Sequence, residues 1–221
     1  MEVKKINVTA IIPAFNEEKT ITNVIRALKQ SPEVDRIIVV SDGSTDRTVE
    51  IAYRQEVDVI DLHENRGKGG AVKAGLDIAN TEVILLLDAD LIGLQPEHIV
   101  LLLEPVFSGR ADMSIGLFGK GRAATDLAQK VAPFLSGQRA LKRKIFEDIS
   151  GLDISRFGIE VALHRYAEET NLRVEEVTLK DLSHVMKEEK MGLLKGGAAR
   201  LKMYWEILLS AMKINDNNPL N

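Results

Sequence analysis

Two carboxylates one residue apart, Asp88 and Asp90, directly follow the apolar run Val83-Ile84-Leu85-Leu86-Leu87. Such a run, bounded by polar residues, reads as a strand buried on both faces of a parallel sheet. Ligands of open α/β sheets collect beyond the carboxyl ends of the strands, so the pair is delivered to the place where these folds do their chemistry. Close carboxylates repel one another and are costly to desolvate unless something positive lies between them. A hard divalent cation carrying phosphate oxygens meets that need. Asp88-Ala89-Asp90 therefore points to a metal and diphosphate site, although the same tripeptide also serves as an ordinary turn or helix cap.

Such a site needs a core to hold it. The chain has 221 residues, 45% of them hydrophobic, enough for one domain or one domain with a small appendage. A net charge of -4 and a pI near 5.7 argue against a nucleic-acid partner, which calls for a basic surface. The absence of cysteine excludes disulfides, thiolate metal sites and cysteine nucleophiles, and fits a reducing compartment. No stretch reaches the roughly 18 apolar residues of a membrane span, so the expectation is a cytoplasmic protein without a transmembrane segment.

Apolar periodicity then places the elements. Val8 to Ile12 reads as a strand ended by Pro13, and Glu17 to Gln30 as a helix with Ile21, Val24, Ile25 and Leu28 on one face. Ile37 to Val40, Val57 to Leu62 and Val83 to Leu87 continue the strands. Helices opening at Thr45-Asp46-Arg47-Thr48 and spanning Gly67 to Ala79 separate them. This alternation specifies an α/β domain with a mostly parallel sheet flanked by helices and right-handed crossovers. Beyond residue 92 we expect a helix over Pro96 to Phe107 and a strand over Asp112 to Phe118, followed by a loop over Gly119 to Ala124. Helices follow over Leu127 to Val131, Ala140 to Glu147 and Ile159 to Glu169, with a strand from Leu172 to Val177 or Leu179. Lys187 to Gly197, with three glycines among lysines, is a candidate mobile loop, in which Gly192 to Gly197 with Lys187, Lys190 and Lys195 reads as a lid over the donor diphosphate or as a solvated connector to the final helix. Leu201 to Met212, which carries Trp205, is an apolar helix, and Asn215 to Asn221 a frayed tail. The expected organisation is one domain over 1–198, with a nucleotide-binding half (1–92) and an acceptor-side half (93–198), and a helical extension over 199–221.

Three more segments sit at strand ends on the same sheet edge as the acidic pair: Pro13-Ala14-Phe15-Asn16-Glu17-Glu18, Ser41-Asp42-Gly43-Ser44-Thr45-Asp46 and Asn65-Arg66-Gly67-Lys68-Gly69-Gly70-Ala71. In order, spacing and wording, over roughly residues 7–185, the chain resembles the family 2 glycosyltransferases. These have a GT-A, Rossmann-like fold and transfer sugar from nucleoside diphosphate donors. The wording is most similar to glucosyl-3-phosphoglycerate synthases, then to polyprenyl-phosphate sugar synthases.

The resemblance assigns roles. It implies that Pro13, Ala14, Phe15, Glu17, Asp42, Lys68, Asp88 and Gly137 bind the nucleotide sugar, with Glu17 at the nucleoside and Asp42 at the base. Each also has a local reading. Glu17 and Glu18 can favour a helix dipole, Asp42 can shape an Asx turn, and Asp46 can cap the next helix. Arg66 to Gly70 opens a helix with small residues and free N–H groups suited to an anion, but lacks the P-loop order. Asp90, with Asp88 and His184, is the implied ligand set for Mg2+ or Mn2+, His184 standing in Asp181-Leu182-Ser183-His184. The other histidines, His63, His98 and His164, read as surface or helix residues. Ser136-Gly137-Gln138-Arg139-Ala140 resembles the family's acceptor loop, with Arg139 a partner for an acceptor phosphate. Glu160, in Arg156-Phe157-Gly158-Ile159-Glu160, resembles a carboxylate that binds sugar hydroxyls. Asp90, Glu160 and Arg139 are the catalytic candidates. The sequence leaves retention and inversion open; inversion needs a carboxylate base near this loop.

The implied partners are a nucleotide-sugar donor, a small phosphorylated hydroxy acid as acceptor, and a second copy of the chain in a homodimer. The alternative acceptor is a polyprenyl phosphate, reached through peripheral membrane contact by Leu201 to Leu209 with Lys202 and Lys213. Outside that class, a nucleotidyltransferase lacks its Gly-X-Gly-Thr-Arg loop here. A non-catalytic nucleotide-sugar sensor has no use for the acceptor loop and Glu160.

Overall fold

The structure, a computed structural model, describes residues 5–119, 133–149 and 158–184. The chain divides into two compact units, Met1–Ser183 and His184–Asn221, and the architecture that follows is that of the first. The expected helices over Leu127 to Val131 and Leu201 to Met212, the candidate loop over Lys187 to Gly197 with its lid over Gly192 to Gly197, and the frayed tail lie outside the described residues, as does nearly all of the Gly119 to Ala124 loop.

The first half alternates as its periodicity predicts: β1 (Val8–Ala14), α1 (Ile21–Lys29), β2 (Arg36–Asp42), α2 (Thr48–Arg54), β3 (Asp58–Leu62), α3 (Gly67–Ile78) and β4 (Val83–Leu86). There follow β5 (Leu91–Ile92), α4 (Pro96–Phe107), β6 (Met113–Phe118), a 3-10 turn (Pro133–Leu135), β7 (Arg139–Lys142), α5 (Lys144–Asp148), α6 (Ile159–Thr170), β8 (Val174–Leu179) and β9 (Ser183–His184).

Seven of these strands form one sheet in the order β3-β2-β1-β4-β7-β6-β8. β7 runs antiparallel to β4 and β6, and the other pairings are parallel. The chain works outward from β1 to β3, then returns to lay β4 on the other side of β1. The carboxyl ends of β1 and β4 therefore flank the switch point where such sheets bind ligands. Alternation along the strands sends Ala10, Ile12, Val39 and Leu85 to one helical layer (α1, α2, α4). Ile11, Ile38, Ile84, Met113 and Leu141 face the other (α3, α5, α6).

Three boundaries differ from expectation for physical reasons. β1 passes through Pro13 to Ala14. Leu87 N donates to Ile11 O, so the odd residues of β1 turn their backbone toward β4, and β4 has already ended when Pro13 is reached. Its missing N–H costs no ladder bond. α1 starts at Ile21 rather than Glu17, because Glu17 O closes a tight turn onto Thr20 N (3.1 Å) and Ile21 N (3.0 Å). Glu18 accordingly precedes the helix, and pairs with Arg47 at 3.1 Å instead of serving its dipole. The helix expected over Ala140 to Glu147 is a strand followed by a short helix. Arg139 to Lys142 fill the space between β4 and β6, with register Leu85↔Ala140 and Ser114↔Ala140, and sheet pairing on both sides overrides local helical spacing.

Candidate active site

Below the turn after β4, Ala89 and Leu91 are buried, which leaves Asp88 and Asp90 half-buried at the sheet edge. Lys68, in the first turn of α3, donates to Asp88 Oδ1 at 2.5 Å and lies 2.6 Å from Glu160 Oε1 in the first turn of α6. The other oxygen of Asp88 accepts from Gln138 Nε2 at 2.8 Å. Gly137 closes the arrangement: a Cβ there would lie 2.5 Å from Lys68 Nζ and overlap both Asp88 carboxylate oxygens. Lys68, Asp88, Gly137 and Glu160, remote in sequence, thus meet at one point. Burial pushes the Lys68 ammonium toward neutrality, but the opposing charges, Asp88 first and Glu160 second, outweigh it and hold the pKa above the ordinary lysine value.

The loop before β7 is held from inside. Arg139 is 0% exposed and shares the face of β7 that carries Leu141, opposite Ile115 of β6. Its Nε donates to Ser136 O at 3.0 Å, one Nη donates to Phe134 O, and the other approaches Met113 Sδ at 3.6 Å. Burial pushes its pKa down to about 10 against the pull of Glu160 and Asp88. This corrects the expectation that Arg139 meets an acceptor phosphate. Strand alternation turns it into the layer beneath the sheet, where it braces the 134–138 backbone. Ser136 Oγ lies 2.5 Å from Gly116 O and 2.9 Å from Gln138 Oε1, its one proton shared between the two acceptors, and holds the amide that reaches Asp88. Gln138 was absent from the expected site residues. Its signal was position alone, one residue past Gly137 in the loop.

Around the carboxyl ends of β1 and β2, Pro13 and Ala14 finish β1 and Phe15 is 48% exposed. Asn16 Oδ1 accepts from Thr45 N (2.8 Å) and Asp46 N (3.3 Å), lacing the two loops together. Glu17 N donates to Thr48 Oγ1 at 2.8 Å, and Thr20 Oγ1 donates to Glu17 Oε2 at 3.2 Å. Asp42 is buried, and its Oδ1 accepts from Arg66 N at 2.7 Å, pinning the loop that starts α3. Asp46 accepts from Thr48 N and Oγ1 and from Glu18 N. Burial raises its pKa, but these donors outweigh it and leave it lowered, as suits a capping carboxylate.

Among the described residues no three His, Asp or Glu side chains are gathered so as to hold a metal ion. His184 ends β9, half-buried, and opens the second unit. His98, expected at a surface or helix position, lies in the first turn of α4 and is buried. No helix among the described residues is long and apolar enough to cross a membrane.

The sheet order and the acidic turn at its switch point define a GT-A fold. Residues 9–164 match glycosyl transferase family 2, and the chain belongs to that family. An uncharacterized protein of Methanocaldococcus jannaschii is 38% identical over 119 residues, covering 52% of this chain and 48% of its own length. The poly-β-1,6-N-acetyl-D-glucosamine synthase of Staphylococcus aureus is 34% identical over 90 residues, covering 38% of this chain and 22% of its own. This chain thus spans half or less of the length of these curated relatives. The glucosyl-3-phosphoglycerate synthase of Mycobacterium tuberculosis, solved with Mn2+, UDP and glucosyl-3-phosphoglycerate, superposes with a TM-score of 0.67 at 25% identity, covering 81% of this chain and 72% of that one. The same enzyme with Mn2+ and UDP-glucose gives 0.69 at 24% identity, covering 81% and 71%.

Proposed function

We propose that this protein is a metal-dependent hexosyltransferase. It would move a sugar from a nucleoside diphosphate donor, a UDP-sugar in preference to a GDP-sugar, to a small phosphorylated hydroxy acid such as a phosphoglycerate. The observation that carries the reading is the convergence of Lys68, Asp88, Glu160 and the Gly137 backbone at the switch point. A glycine there lets the Lys68–Asp88 pair lie against the loop backbone, and an ammonium between carboxylates suits a site that handles diphosphate and sugar hydroxyls together. The Mycobacterium tuberculosis synthase, with its Mn2+, UDP and phosphoglycerate-derived ligands, supports donor and acceptor class by analogy.

The donor set fits a divalent cation. Such an ion needs only one or two protein carboxylates when substrate phosphates and water complete its shell, so no all-protein cage is required. Asp90 is the residue we assign to it, as the second carboxylate of the Asp88-Ala89-Asp90 turn at the sheet edge, with Asp88 engaged by Lys68 and Gln138. When bound, the cation supplies positive charge to the leaving diphosphate. Lys68 has three donors and can serve a phosphate oxygen while its carboxylate partners orient it. Glu160 accepts hydrogen bonds from hydroxyls of the transferred sugar, and Asp88 aligns Lys68 with Gln138. Phe15 offers an exposed ring for the nucleobase, with Glu17 and Asp42 as polar partners beside it.

The test is a panel of UDP- and GDP-sugars with and without Mn2+ or Mg2+, offered phosphoglycerate in detergent-free buffer or a polyprenyl phosphate in vesicles. Metal-dependent transfer to phosphoglycerate is expected. Transfer solely to the lipid acceptor would replace the acceptor assignment, and binding of donor without any turnover would leave a sensor.

A further inference from the structure

We infer that His98 is a positioning residue for the donor end of the site: it clamps the turn between β8 and β9 onto the segment that carries Asp90. The inference rests on the reading of Asp90 as the residue that meets the donor's cation. His98 lies in the first turn of α4, is only 8% exposed, and uses both ring nitrogens. Nδ1 faces Gln95 N at 3.1 Å and Nε2 faces Lys180 O at 2.8 Å. The first partner is a donor and the second an acceptor, so the ring is the neutral tautomer with its proton on Nε2. One face of the imidazole therefore completes the capping box of α4, and the other ties α4 to the β8–β9 turn.

What that turn touches gives the clamp its purpose. Asp181, in a left-handed conformation, directs its carbonyl at Gly93, where a Cβ would meet Asp181 O at 2.5 Å. Gly93 itself has φ +85°. Leu182 is buried in the same core cluster as Leu91, Leu94 and Ile99. Asp90 stands immediately before Leu91, one of these packed side chains. Fixing Lys180 O fixes Asp181 O against Gly93, and limits how far the 90–94 segment can shift when cation and diphosphate arrive. Preorganisation of this kind is felt in affinity, because an unclamped carboxylate must be ordered on binding.

Two isosteric substitutions separate the clamp from the cap. Asparagine places its amide oxygen near the position of Nδ1, so His98→Asn keeps the bond from Gln95 N and loses the one to Lys180 O. Glutamine reaches the position of Nε2, so His98→Gln keeps the bond to Lys180 O and loses the cap. Mn2+ binding in the presence of UDP is read by loss of the free-ion electron paramagnetic resonance signal, alongside amide exchange over residues 91–94 and 180–182. The expected result is a weakening of Mn2+–UDP affinity by about 3- to 10-fold in His98→Asn, the cost of ordering one side chain on binding. Exchange at those amides should be faster there, with both readouts near wild type in His98→Gln. Equal losses in the two variants, or losses that follow thermal stability alone, would overturn the clamp. If wild-type protein binds no Mn2+–UDP, the donor reading falls, while the exchange comparison still decides whether His98 holds the turn.

Discussion

Replacing Lys68 by methionine keeps most of the side-chain volume and removes the charge that joins three segments of the chain. The carboxylate oxygens of Asp88 and Glu160 that the ammonium bridges stand no more than about 5 Å apart and, without it, would repel by about 3 kcal/mol at an effective dielectric constant of about 20. Solvent reaches the trio, with side-chain exposures of 34% for Lys68, 30% for Asp88 and 16% for Glu160. Screening reduces the repulsion to about 1–2 kcal/mol, and loss of the partly desolvated pairs adds about as much again. Lys68→Met should therefore destabilise by about 2–4 kcal/mol at pH 7, a fall in Tm of roughly 5–12 °C for a chain of this size. A double-mutant cycle with Glu160→Gln sharpens the test. Alone, Glu160→Gln removes a favourable partner of Lys68 and destabilises; in the Lys68→Met background it removes the repulsion and restores about 1–2 kcal/mol. The pH dependence has a fixed sign. Because its partners hold the Lys68 pKa above its unfolded value, the stabilisation is fully present below the ordinary lysine range and fades as pH rises through the folded value. Wild type and Lys68→Met should thus converge only in strong alkali. Urea titrations of the four proteins decide the matter, and an equal cost of Glu160→Gln in both backgrounds would refute the argument.

Asp90→Ala should abolish metal-dependent transfer yet keep Tm within about 2 °C of wild type, since losing a half-buried edge carboxylate opens no core cavity. Undiminished turnover would remove Asp90 from the cation site. Gly137→Ala forces a methyl group onto the Lys68–Asp88 pair, so either the loop or the pair must shift. We expect transfer to fall by about 10-fold or more for a stability cost of only about 1–2 kcal/mol, and unchanged kinetics would show the contact to be idle. Far from the site, Arg173 above all, with Lys142 assisting against the cost of burial, holds the Asp112 carboxyl well below the usual range. That stabilisation is present above the unfolded aspartate pKa and is lost as pH falls through the folded one. Asp112→Asn should cost about 1–2 kcal/mol at pH 7 and progressively less in acid, as followed by urea unfolding across pH.

The first half of the fold was legible because β1, β2 and β4 are apolar runs that end in a glycine, proline or acidic turn. Burial on both faces and punctuation at the ends are local properties of the sequence. Asp88 and Lys68 were legible for the same reason: both stand at element ends on one sheet edge, and parallel topology brings such ends together. The acceptor side was less so. Ala140-Leu141-Lys142 carries no strand signature of its own, and its state is decided by two neighbours, β4 and β6, that are remote in sequence. Misreading that segment as a helix hid the alternation that sends Arg139 inward and leaves the preceding loop to present Gln138 to Asp88. The charge on Arg139 suggested a ligand, but a guanidinium with five donors satisfies buried backbone carbonyls as well as it does a phosphate. Only pairing register distinguishes the two. Here it makes arginine the brace behind the loop and gives the contact with Asp88 to the neutral amide beside it.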